Sequence, residues 1–287
     1  MKRFTLRLIS IFKTALYSIL FLLSPLSTER YVPILAYHSV DNNKSFFAVA
    51  PDEFQRQMAY LNSNYTVVSL EEVFEFLTGR QDLPKNPVAL TFDDGYRDNY
   101  VNVYPCARKY GYPIAIFVIS GLVGKEMSLG GVQLRILDWE ELREMRKQNV
   151  MICAHTRTHP DLRAVSTTEA TNEIQTSKIE LEKAFGQPVD YFAYPKGRYN
   201  QTIADLVKSS GFKAAFGEEG LIRRGDNPFV LKRVSVDKSV NYLTFKAKLT
   251  VASEWYRGLE KCGSRIVQRL RFLPRISRHI QPSIGNS

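Results

Sequence analysis

The sequence is short of cysteine, of long apolar runs and of repeats, and each shortage narrows what the chain can be. Cys106, Cys153 and Cys262 are an odd set with no metal-type pairing, so neither a disulfide framework nor a zinc ribbon is indicated. Cys153 lies in the apolar run VMICAH, where a free thiol behaves as a small buried hydrophobe. The apolar stretch from Thr14 to Leu26 falls short of the roughly 20 residues that a spanning helix needs. With Lys2, Arg3, Arg7 and Lys13 ahead of it, it reads as a secretory signal, a signal anchor or an interfacial helix, without a clean small-x-small cleavage site. No internal repeat or low-complexity linker is present, which points to one unit with two appended ends. The middle of the chain also lacks excess charge. Residues 1–30 carry five basic side chains against one acidic, and residues 256–287 carry seven against one, which accounts for the whole formal charge of +10. Basic ends on a neutral body fit an anionic membrane surface better than nucleic acid, for which no interleaved recognition motif exists.

What is present is a chain of 287 residues, 44% hydrophobic and 24% charged, which are ordinary globular values. From residue 32 onward, short β-rich runs alternate with amphipathic stretches: VPILAYH (32–38), VALTFDD (88–94), IAIFVIS (114–120), VMICAH (150–155), DYFAYP (190–195), FKAAFG (212–217) and LKRVSV (231–236). Helices are expected at 51–62, 139–148 and 167–185, the last opened by a capping box of Ser166 and Glu169. Seven such runs fit a (β/α) barrel of about seven parallel strands or a doubly wound sheet, and the placement of the polar residues decides for the barrel. His38, Asp93, Asp94, His155 and the Pro195–Gly197 turn all fall at strand C-terminal ends, which share one face in a barrel. The expected organisation is a signal-like or membrane-associating segment at 1–30, a catalytic domain at 31–254, and a basic amphipathic segment at 255–287. That last segment places Arg257, Lys261, Arg265 and Arg269 on one helical face behind Trp255 and Tyr256.

TFDDGY at 91–96 ends an apolar strand on two adjacent carboxylates and a glycine. The two acids would repel unless a cation sat beside them, although an Asp in this place also caps helices. HTRTHP at 155–160 adds two of the four histidines, His155 and His159, at a spacing that aims both rings at one point on a helical turn. One Asp with two histidines leaves metal positions open, for zinc in hydrolysis or for ferrous iron in oxygen chemistry. The second Asp favours hydrolysis, which needs a base to activate water while a metal polarises the carbonyl.

TFDDGY, HTRTHP and YPKGRYN (194–200), in this order, resemble the polysaccharide deacetylase family, the group with the chitooligosaccharide-deacetylase (NodB) homology domain. The resemblance spans about residues 32–250, since YHSV (37–40) and the LKRVSV strand fit the branch with rearranged motif order. It implies a distorted (β/α) barrel of about seven parallel strands, Asp93 as catalytic base, Asp94, His155 and His159 as ligands of a divalent metal (zinc first, cobalt or nickel as alternatives), and the backbone N–H of Lys196 as oxyanion donor. Two departures stand out. The late Leu-His-Asp motif that supplies the family's general acid is absent, and His38 is its natural replacement: two of the four histidines are ligands and His279 lies in the tail. The arginine that usually precedes the proline turn and holds the base is replaced by Ala193, and Arg233, read as another strand-end residue, is the candidate to hold Asp93.

The expected activity is removal of N-acetyl groups, as acetate, from N-acetylated amino sugars of a glycan. Alternatives are a lipid-linked or small-molecule substrate, an O-acetyl ester, or an inactive carbohydrate-binding barrel. Tyr194, Tyr199 and Tyr96 are candidates to contact sugar rings, and Trp139 to pack the core. The ends suggest the cell envelope, by export or membrane association, with a cytoplasmic peripheral enzyme as the other option.

Overall fold

The computed structural model describes residues 14–24, 31–129 and 131–260. Seven parallel strands close into a barrel: β1 (Ile34–Tyr37), β2 (Pro87–Phe92), β3 (Ile114–Val118), β4 (Val150–Ala154), β5 (Tyr191–Ala193), β6 (Ala214–Glu219) and β7 (Leu231–Ser235). They follow one another around the barrel in chain order, and β1 closes it by pairing with both β2 and β7. Each falls within or over one of the seven runs seen in the sequence. The closure is uneven. β4 and β5 share the single register pair Phe192↔Ala154, and the β6–β7 ladder shifts between Phe216 and Glu219, which is the distortion of the barrel. A two-residue strand, Thr66–Val67, extends the sheet beside the start of β2.

Parallel strands covered on both faces must be apolar on both, and β2 and β3 are buried at every position. Alternate residues then divide into two cores. Ala89, Ala115, Phe117, Cys153, Ala193, Ala214, Phe216 and Leu231 form the lumen, while Leu90, Phe92, Ile116, Ile152, Phe192 and Ala215 meet the surrounding helices.

The helices are α1 (Pro51–Asn64), α2 (Leu70–Leu77), α3 (Tyr104–Tyr110), α4 (Trp139–Arg146), α5 (Thr167–Phe185), α6 (Gln201–Ser209) and α7 (Tyr242–Lys248). α2 begins with a reciprocal box between Ser69 and Glu72, and its Leu70, Val73, Phe76 and Leu77 join the lumen core. Burying each such side chain contributes about 1.5–3 kcal/mol, so α2 is a plug as well as a connection. At α5 only half of the expected box forms: Ser166 Oγ accepts from Glu169 N at 3.2 Å, without the return bond. Trp139 packs edge-on against Phe185. A hairpin, Glu126–Leu129 with Val132–Arg135, stands beside Tyr96.

Residues 14–23 and 252–260 are also helical. The expected boundary between 254 and 255 therefore falls inside a helix. The N-terminal helix packs on it: Tyr17 stacks on Tyr256 at 4.1 Å between centroids, and Asn241 Nδ2 donates to Thr14 Oγ1 at 2.9 Å. Among the described residues no helix is long and apolar enough to cross a membrane. Residues 1–13 and the basic positions Lys261, Arg265 and Arg269 lie outside the described residues.

Candidate active site

Strand parity delivers the first carboxylate. Ala89 and Thr91 face the lumen, so Asp93, two residues beyond Thr91, continues on that face. Arg233 points in by the same rule, two residues after Leu231. It is the third of five residues in β7, not a strand-end residue as its sequence context suggested. Its Nη1 and Nη2 donate to Asp93 Oδ1 and Oδ2 at 2.7 and 2.6 Å, and Nη1 also donates to Thr91 Oγ1 at 3.1 Å. Both side chains are buried. Burial alone would raise the Asp93 carboxyl, but the adjoining Arg233 charge and its paired hydrogen bonds outweigh burial and hold Asp93 well below the usual carboxylate range.

Asp94 arrives by a different device. Its φ of 69° and the equal φ of Gly95 are consecutive left-handed residues, which swing the second acid toward the first instead of to the far side of the strand. A non-glycine residue in this region costs about 1–3 kcal/mol. His155 follows β4 directly, and its Nδ1 meets the Ala193 carbonyl at 2.7 Å. A carbonyl only accepts, so Nδ1 carries the hydrogen and the Nε2 lone pair faces Asp94.

His159 reaches the same point, but not on a helical turn. Thr156 and His159 have φ of 62° and 67°, and residues 155–160 form an irregular loop. Its shape is held from outside, where Arg157 N and Thr158 N donate to Glu173 Oε2 at 2.9 and 2.7 Å, and from within, where His159 N donates to Thr156 Oγ1 at 3.0 Å. Burial, and then the neighbouring His155, push the His159 imidazole down to about 4.

Asp94 Oδ1 lies 3.5 Å from His155 Nε2 and 3.4 Å from His159 Nε2. Those gaps are long for charge-assisted hydrogen bonds. They match two ligands about 2.1 Å from one centre at a tetrahedral angle, which stand about 3.4 Å apart. Asp94 Oδ1 is buried without a hydrogen-bond partner, and the three side chains form a group able to hold a metal ion. The donor set therefore fits a divalent cation of the zinc type.

Asp93, Asp94 and His159 open onto a cavity of about 780 Å³ at the C-terminal ends of the strands, which His38, Lys196 and Arg233 also line, with His155 buried behind them. His38 sits against the Phe47 ring at 4.9 Å. Lys196 occupies a tight 3₁₀ turn with φ 59°, and Gly197 beside it is so close to β6 that a Cβ would lie 3.0 Å from the Gly217 carbonyl. All seven residues singled out in the sequence thus gather at one site. The aromatic candidates divide. Tyr194 is fully buried and donates to the Phe229 carbonyl at 2.9 Å, with Tyr199 stacked on it, while Tyr96 is buried beside the hairpin, so both Tyr194 and Tyr96 support the loops instead of facing a sugar.

Phe47, Met127, Glu218, Glu219 and Arg257 also line the cavity and were not singled out as site residues. Arg257 stood in the basic stripe of the tail. Instead it pairs with Glu254 and lies over Gly220, where a Cβ would collide with its guanidinium; Glu254 Oε1 also accepts from Leu221 N at 2.7 Å. No spacing rule separates this arginine from the other basic residues of the stripe, because the selection comes from where the helix docks.

The polysaccharide deacetylase family model matches residues 80–215. The Bacillus subtilis protein YxkH, which carries a polysaccharide deacetylase name, is 30% identical over 218 residues, covering 75% of each chain. The poly-β-1,6-N-acetyl-D-glucosamine N-deacetylase of Staphylococcus aureus (strain MSSA476) is 28% identical over 66% of this chain and 68% of its own. Among solved structures, the Streptococcus pyogenes deacetylase PplD in complex with acetate superposes with a TM-score of 0.68 at 28% identity, covering 77% of this chain and 99% of that one. IcaB from Ammonifex degensii gives 0.68 at 27% identity over 76% and 97%.

Proposed function

The chain belongs to the polysaccharide deacetylase family, and from that premise we propose that it is a metal-dependent N-deacetylase of an N-acetylglucosamine polysaccharide, releasing acetate and a free amine. The observation that carries this reading is the convergence of Asp93, held by Arg233, with the Asp94, His155 and His159 cluster at the floor of one cavity that Asp93, Asp94 and His159 line. The polymer is taken from the N-acetylglucosamine substrate in the name of the Staphylococcus aureus relative.

Asp94, His155 and His159 would hold the divalent cation, zinc first with cobalt or nickel as alternatives, and its contribution is to polarise the acetyl carbonyl. The protein's own groups do the rest. Arg233 keeps Asp93 ionised and fixes its plane, so that its carboxylate is available to accept the proton of the attacking water. The backbone N–H of Lys196 is the donor to the developing oxyanion, presented by the left-handed turn. His38 protonates the sugar nitrogen as the C–N bond breaks, so acetate and a neutral amine leave. Acetate release from N-acetylglucosamine oligomers by the zinc-loaded protein, lost in Asp93→Ala and strongly reduced in His38→Ala, tests the assignment. Release that survives Asp93→Ala would sink it.

A membrane surface at the cell envelope is the setting we infer, with a cytoplasmic peripheral location as the alternative. The N-terminal helix is apolar on both sides: Tyr17, Leu20 and Phe21 pack on the C-terminal helix, while Ile19, Leu22 and Leu23 are 56%, 76% and 46% exposed. An apolar face preceded in the sequence by Lys2, Arg3, Arg7 and Lys13 suits an anionic bilayer. Co-sedimentation with anionic vesicles, weakened by Leu22→Asp and absent with zwitterionic vesicles, is the expected result.

A further inference from the structure

Two residues of one wide helical turn, and the residue that leads into it, grip the segment that carries His38. The chain from Asn99 to Val103 winds as a π-helical turn, closed by the Tyr104 N–H on the Asn99 carbonyl. Such widened turns gather at functional sites because they re-aim side chains that a regular helix would direct elsewhere. Here Asn99 Nδ2 donates to the His38 carbonyl at 2.9 Å, and Asn102 Nδ2 donates to the Val40 carbonyl at 2.8 Å. Asp98 accepts from Ser39 Oγ at 2.6 Å and from Val40 N at 2.9 Å, and its Oδ1 also accepts from Asn99 Nδ2 at 2.8 Å. Four bonds from one segment thus hold three consecutive residues. Asn99 is fully buried, and Ser39 is buried beside it.

The grip matters because β1 ends at Tyr37, so His38 stands beyond the last barrel residue on its strand. Its ring is backed by Phe47, and its carbonyl is held by Asn99 of the turn that follows the Asp93–Asp94 pair, while the next residues, Ser39 and Val40, are held by that segment and by parallel pairing with Ala48 and Val49. Both halves of the site are then built on one continuous segment, 93–102. We propose that Asp98, Asn99 and Asn102 are positioning residues, which hold the His38 imidazole in register with Asp93 and the metal ligands without touching substrate.

The proposal rests on the reading of His38 as proton donor, so the test has two arms. In the first, acetate release by the zinc-loaded full chain on an N-acetylglucosamine oligomer is compared for Asp98→Ala, Asp98→Asn, Asn102→Ala, His38→Ala and the double variant Asp98→Ala/His38→Ala. Asp98→Ala is expected to lower kcat about 10–100-fold, the scale of a misplacement near 1 Å, with KM changed less than about twofold. Asp98→Asn keeps an acceptor for Val40 N and restores most of the rate. The double variant is no slower than His38→Ala, since both act through one group. Multiplicative losses in the double variant overturn the proposal, as does an unchanged kcat in Asp98→Ala.

The second arm needs no turnover: imidazole ¹H–¹⁵N signals in ¹⁵N-histidine-labelled protein, with His38 assigned by its loss in His38→Ala. A His38 signal that moves in Asp98→Ala while the His155 and His159 signals stay supports the clamp. An unmoved His38 signal overturns it. If His38→Ala retains the full rate, the acid role fails and this arm alone decides the clamp. Should Asp98→Ala fail to fold, Asn102→Ala, which removes only the bond to the Val40 carbonyl, carries both arms by the same criteria.

Discussion

Asp93 and Arg233 are a buried ion pair, and such a pair is more informative about what happens when it is broken than about net stability. Replacing Arg233 by Met leaves a carboxylate in the lumen without its cation. The expected cost is about 3–5 kcal/mol of unfolding free energy in urea titrations, and Arg233→Met/Asp93→Asn is expected to recover most of it. Equal destabilisation in the single and double variants would show that the guanidinium acts by packing on Phe117 instead of by charge. Asp98 behaves in the opposite way. Burial, the largest influence, raises its carboxyl to about 6 against the lowering effect of its hydrogen bonds to Ser39 and Val40. Between the unfolded value of about 3.9 and that raised value, the folded protein binds more protons than the unfolded chain. The contribution of this group to stability therefore falls as pH rises through that window. Asp98→Asn removes that dependence, so its melting temperature is expected to exceed wild type at pH 7 and to converge with it near pH 4. No convergence would mean that Asp98 does not titrate there.

At the scale of elements, strand ends supply Asp93 and His155, but loops decide where Asp94 and His159 go. The His155–His159 loop has two left-handed residues, and its main chain depends on Glu173 of α5 for two hydrogen bonds. Glu173→Ala should therefore loosen His159 without touching a metal ligand. The expected reading is a zinc affinity about 10–100-fold weaker by competition with a chromophoric chelator, the scale of lost outer partners of metal ligands. Unchanged affinity would place the rigidity of the loop elsewhere. The spacing of the two histidines was legible in the sequence, since a separation of four is a ligand spacing on any compact turn. The type of turn was not, because it is set by Thr156 Oγ1 and a glutamate 14 residues after His159.

Over the whole molecule, the barrel brings the proposed ligands Asp94, His155 and His159 from the segments that follow β2 and β4 to one point, so a bound cation would tie distant parts of the chain together. Adding zinc to the metal-free protein is expected to raise its stability by about 2.7 kcal/mol at 100 times the dissociation constant. The measurement is a thermal melt across a zinc titration, and Asp94→Asn should abolish most of the shift. Fold and site differ in how far they could be read in advance. Seven β-rich runs with polar residues at their ends were enough to favour a barrel with one shared face, and the motif resemblance was enough to name Asp94, His155 and His159 as candidate ligands, because periodicity and motif spacing are local properties of the chain. Strand parity was also readable for Arg233, although its distance from Asp93 was not. What only tertiary structure decided was the contacts themselves: the paired bonds of Arg233 to Asp93, which the sequence offered only as a candidate pair, the 98–102 segment against His38, and the N-terminal helix and Arg257 brought to the barrel by the helix at 252–260. Those contacts join residues far apart in the chain, and no local pattern encodes the distance between two elements that meet only when the barrel closes.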